Sequence, residues 1–128
     1  MPKPSPKKFV DSPEMLALKR ELAGHSGTSQ YWKGALTLDY TDGVKNLHET
    51  AKCYWLIQDI SIVSKMKFRN VPFQVWELRV KDMVGELTMK GDSGKPVKYR
   101  QRYSYTDFPE GTFELWVIDG VMILPSEY

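Results

Sequence analysis

Lys98, Arg100 and Arg102 stand at alternate positions of the run Val97-Lys-Tyr-Arg-Gln-Arg-Tyr-Ser-Tyr105. In an extended strand, residues two apart share a face about 7 Å apart. The three cations therefore form a line spaced much like the phosphates of an extended nucleic-acid strand. Arg79 and Lys81 repeat the pattern in Phe73-Gln-Val-Trp-Glu-Leu-Arg-Val-Lys81 and widen the candidate surface for nucleic acid or an acidic protein. A solvated edge strand that uses positive charge against aggregation explains the same pattern.

Other chemistry has less support. Asp39/Asp42 and Asp107/Glu110 could act as acid and base in a small hydrolase or nuclease, with Tyr40 beside them. Asp is more often a turn or cap residue, and both pairs fit turns. His25, His48 and Cys53 show no metal-ligand spacing. Cys53 lies five residues after His48, off a common face of a continuous helix. Beside Tyr54-Trp55 it reads as a core thiol. Gly27, in the loop His25–Ser29, lacks the spacing and the Lys of a phosphate-cradling loop. No cofactor and no metal are indicated, and the balance leans away from an enzyme.

Composition sets the frame for these residues. The 128 residues carry 18 basic and 16 acidic side chains, a net +2 that gives no general mandate for nucleic acid. The length suits one domain. Residues 1–11 read as a disordered basic, Pro-rich arm, and 12–128 as the domain. With one Cys and no apolar run near membrane-spanning length, the expected setting is the cytoplasm, without membrane contact.

The elements that must position the candidates are of two kinds, and the expected class is α+β. Two or three N-terminal helices should cover an antiparallel β-meander of four to six strands in the C-terminal half. Ser12-Pro13-Glu14 starts a helix whose Met15, Leu18 and Leu22 share a face, with Gly24 as a stop. Leu36 and Leu38 suggest a short extended segment. Thr41 or Asp42 caps a second helical stretch to Met66, either continuous or broken near Lys52. In the sheet, Trp76, Leu78, Val80, Leu87 and Met89 should face inward.

Asp119-Gly120 predicts a two-residue type I′ hairpin. Its pairing puts Trp116, Ile118, Val121 and Ile123 on one face, with Phe113, Leu115, Val117, Met122 and Leu124 on the other. Both faces are apolar, so the second face, the one that does not meet the core, needs cover from the Trp32 segment, the C-terminal tail or a second copy in a homodimer.

The chain resembles an uncharacterised bacterial domain family, often found on phages and plasmids. The resemblance runs from about Leu22 to the end. It rests on Gly27-Thr28, Tyr31-Trp32, Tyr40-Thr-Asp-Gly-Val44, Ala51 and Tyr54-Trp-Leu-Ile57. It continues with Pro72-Phe-Gln-Val-Trp76, Tyr105-Thr-Asp-Phe-Pro109, Asp119-Gly-Val121 and Pro125-Ser-Glu-Tyr128. The family pattern has a basic residue and often His where Lys33-Gly34 stand, Ala at His48 and Gly at Lys52, so neither histidine inherits a role. Tyr40, Asp42, Tyr54, Trp55, Trp76 and Asp107 could form a shared site, with Tyr40, Asp42 and Asp107 as its candidates, or could cap and pack a shared fold. The resemblance implies a small domain with no assigned activity. Together with the residue pattern, the expectation is a non-enzymatic accessory or interaction protein of a mobile element that binds a host or phage macromolecule.

Overall fold

Seven strands form a single mixed sheet, and three helices cover one of its faces. The computed structural model describes residues 9–27, 31–33, 37–91 and 95–128. Most of the N-terminal arm, Leu36 and most of the loop before β5 lie outside the described residues.

The first helix, α1 (Pro13–Leu22), begins as its sequence dictates. Ser12 Oγ accepts from Met15 N–H at 3.1 Å, Pro13 occupies the first turn, and Met15, Leu18 and Leu22 are buried. Just before it, Asp11 binds Lys19 Nζ at 2.6 Å and Thr112 N–H at 3.0 Å. Burial opposes ionisation of Asp11. The Lys19 ammonium and the Thr112 N–H outweigh that cost and hold its pKa below the usual value.

Residues 42–67 are two helices, α2 (Asp42–Ala51) and α3 (Tyr54–Lys67). The break is at Lys52, which caps α2 in the left-handed conformation at φ 52°. A lysine there is strained where glycine is at ease, and glycine is what the resembled pattern prefers.

Two short strands, β1 (Tyr31–Trp32) and β2 (Asp39–Thr41), precede α2. Leu38 is buried just outside the strand, its N–H bound to Ser61 Oγ of α3 at 3.0 Å. The C-terminal half supplies β3 (Phe73–Lys81), β4 (Val84–Lys90), β5 (Val97–Tyr103), β6 (Gly111–Ile118) and β7 (Val121–Ile123). The strand order is β1-β2-β7-β6-β3-β4-β5. Only β3, β4 and β5 run as a meander. β6 returns across the sheet to pair with β3, and β2 joins β7 in parallel. Burial explains the jump: β6 alternates buried and half-buried residues and belongs in the middle, while β5 alternates exposed and half-buried residues and suits an edge.

Side chains segregate as the pleat requires. Trp76, Leu78, Val80, Leu87, Met89, Leu115, Val117 and Met122 meet the helices in the core. Phe68, just after α3, packs edge-on against Trp76 and Tyr99, and Trp55 of α3 packs edge-on against Tyr103. The hairpin pairs Ile118 with Val121 around Asp119 and Gly120, both at positive φ. Part of the cover for its second face comes from the C-terminal tail: the Tyr128 ring lies edge-on to Trp116 at 5.5 Å and to Phe73 at 5.9 Å.

Candidate functional site

The open face of the sheet carries the basic residues. From Tyr99 onward β5 alternates, so Tyr99, Gln101 and Tyr103 turn towards the helices while Arg100 and Arg102 are exposed on the far side; Lys98 is exposed at a register shift against Met89 and Lys90, with its ammonium beside Gly91. The register sets Arg102 beside Glu86 of β4, and Glu86 beside Arg79 of β3. Arg79, Lys81 and Arg102 thereby line one depression of about 330 Å³ together with Phe9, Asp82 and Glu86. The Phe9 ring sits 5.8 Å from the Arg79 guanidinium.

Carboxylates temper this surface. Arg100 contacts Glu86 at 3.0 Å and Arg79 contacts Glu77 at 2.8 Å. Both pairs are solvent-accessible and worth roughly 0–1 kcal/mol each, so a phosphate could displace either carboxylate. Lys98 and Arg102 form no ion pair among the described residues. Further along the same face lies the aromatic group of Phe73, Trp116 and Tyr128, with the Trp116 indole bound to Glu114 at 3.1 Å.

The motif residues Tyr40, Asp42 and Asp107 do not converge. Asp42 opens α2 beside β2, where its carboxylate accepts the Trp32 indole N–H at 3.0 Å. Asp107 lies in the loop after β5, and four strands separate β2 from β5. Tyr40 packs edge-on to His48 at 5.7 Å. Burial, reinforced by Tyr54, raises the pKa of its hydroxyl. An acid–base pair built from Asp42 and Asp107 has no common cleft.

A tight polar cluster does form around the intervening Thr41 and Gly43, and its key residue is the buried Glu127. This carboxylate accepts from Thr41 Oγ1 at 2.6 Å, Leu124 N–H at 2.8 Å and Gly43 N–H at 3.2 Å. Thr41 Oγ1 in turn accepts from Val44 N–H at 3.4 Å. A negative charge thus sits on the positive end of α2, satisfying N–H groups the helix leaves unpaired. Gly43 makes room for it, because a Cβ there would lie 2.5 Å from Leu124 and 2.8 Å from Glu127. The Tyr40–Val44 and Pro125–Tyr128 motifs are therefore two halves of one structural lock. Sequence reading missed Glu127 because two of its three partners, Thr41 and Gly43, lie more than eighty residues away.

The Cys53 thiol is fully buried, and burial pushes its pKa up to about 12. The described residues contain no group of three or more His, Cys, Asp or Glu placed to hold a metal. His48, wedged between Tyr40 and Tyr54, has its pKa lowered by burial.

The model of a family of unknown function, DUF6876, matches residues 16–128. The chain belongs to this family. The lock between the start of α2 and the C-terminus falls wholly inside the span that DUF6876 matches. No curated protein matches the chain. No solved structure matches it either. Among the described residues, no helix is long and apolar enough to cross a membrane.

Proposed function

We propose that this DUF6876 protein is a non-enzymatic binding module that holds single-stranded nucleic acid on the open face of its sheet. The observation behind this reading is the division of the sheet: helices cover one face, while the other presents Arg100, Arg102, Arg79 and Lys81 with a neighbouring aromatic group, and Lys98 is exposed at the start of the same strand. Cations tracking a backbone and rings offering stacking surfaces are the two parts such binding needs. We read the module further as an accessory protein of a bacterial mobile element, working in the cytoplasm, a reading supported by its resemblance to domains found on phages and plasmids.

A gel-shift titration with unstructured single-stranded oligonucleotides tests the reading. Binding should weaken as salt rises, because each neutralised phosphate releases counterions. Combined reversal of Lys98, Arg100 and Arg102 to Glu should abolish it. An unchanged shift in that variant, or no shift at low salt, overturns the reading. Capture of an acidic protein or a second copy by the same face, without nucleic acid, would assign the surface to protein contact instead.

A further inference from the structure

On the helix-bearing side of the sheet, away from the basic face, a depression of about 350 Å³ opens between α3 and the loop after β5. Trp55, Asp59, Tyr103, Tyr105, Thr106 and Asp107 line it. Trp55 and Tyr103 stand 5.1 Å apart with ring planes at 68°, forming a corner. The Tyr103 hydroxyl donates to Asp59 Oδ2 at 2.6 Å, which fixes both side chains. Tyr105 is 67% exposed, and Asp107 is exposed beside it. The loop that carries them is anchored by Thr106, whose N–H binds Met83 C=O at 2.8 Å and whose hydroxyl accepts from Phe108 N–H at 3.1 Å. The corner is thus held in place before any ligand arrives.

Its chemistry has one sign. Aromatic faces attract cations through their quadrupoles, and two carboxylates add net negative charge. Neither Asp59 nor Asp107 has an ion-pair partner among the described residues. The described residues offer no set of three ligands for a metal ion. A compact, strongly hydrated ammonium gains little from ring faces, whereas an alkylated one loses less water and contacts the rings directly.

We propose that this corner binds an alkylated ammonium group, carried by a free quaternary amine or by a methylated lysine in a peptide. Trp55, Tyr103 and Tyr105 supply the ring faces, and Asp59 and Asp107 the balancing charge. The site does not rest on the nucleic-acid reading, and either can fail without the other.

The test is a titration of the full chain followed by NMR at the Trp55 indole N–H, assigned with a Trp55→Phe variant. The probes are choline, a trimethyl-lysine peptide and the neutral carbon isostere of choline. Both cations should give a saturable shift and the isostere none. Tighter binding of choline identifies a free amine as the source, and tighter binding of the peptide identifies a modified lysine. Tyr105→Ala and Asp107→Asn, both at exposed positions, should each weaken binding about three- to tenfold. The proposal is overturned if neither cation shifts the signal, if the isostere shifts it equally, or if both variants bind as the parent does.

Discussion

Replacing Glu127 by Gln keeps the shape of the side chain but removes the charge from the end of α2. Thr41, Gly43 and Leu124 all donate to this carboxylate. Hydrogen bonds to a charged group are worth about 1.5–3 kcal/mol, so Glu127→Gln should destabilise by about that amount in urea unfolding. A loss well below that range would mean the lock is cosmetic. His48 supplies a pH test. Its pKa is lowered in the folded protein by burial, and its Nε2 is buried without a partner among the described residues. The unfolded chain therefore takes up the proton more readily. Stability should be unaffected well above the ordinary value of 6.5 and should decline as the pH falls below it. A His48→Gln variant should lose that part of the slope, as measured by denaturation midpoints across the range. These residue roles were only partly legible. Ser12 was legible as a cap and Thr41 as one of two candidates, the other being Asp42, because capping is local, whereas Glu127 acts across the whole chain and leaves no periodic signal.

At the scale of elements, the break between α2 and α3 carries the clearest engineering consequence. Lys52 sits at φ 52°, and its backbone N–H closes the end of α2 on His48 C=O. Gly adopts this conformation without the steric cost, so Lys52→Gly should stabilise by about 0.5–1 kcal/mol in thermal or chemical unfolding. A destabilised variant would show that the lysine side chain earns its place by contacts of its own. The hairpin at Asp119-Gly120 was readable because turn chemistry is encoded in adjacent residues. The return of β6 to β3 was not. Strand order depends on which strand needs burial on both flanks, and β6 met that need better than the polar β5. The second face of the hairpin needed cover, and Tyr128 of the tail supplies part of it.

For the whole molecule, one sheet separates two surfaces of opposite character. The open face concentrates cations contributed by β3 and β5, while the helix side offers the aromatic and acidic corner beside α3. Alternation along β5 alone produces this division, since Arg102 and Tyr103 must point to opposite sides. The exposure of Arg100 and Arg102 opposite Tyr103 follows from spacing, whereas the register shift at Lys98 does not. The corner was not legible from spacing, because Trp55 and Tyr103 are brought together only when α3 lies across β5. The reading of the open face as a working surface is tested most directly by amide and indole chemical-shift mapping while a single-stranded oligonucleotide is added. The expected result is perturbation at Lys98, Arg100, Arg102, Arg79 and Lys81 and at the half-buried Trp116 indole, with the core Trp76 indole unmoved. Perturbations confined to the helices, or none at low salt, would contradict it.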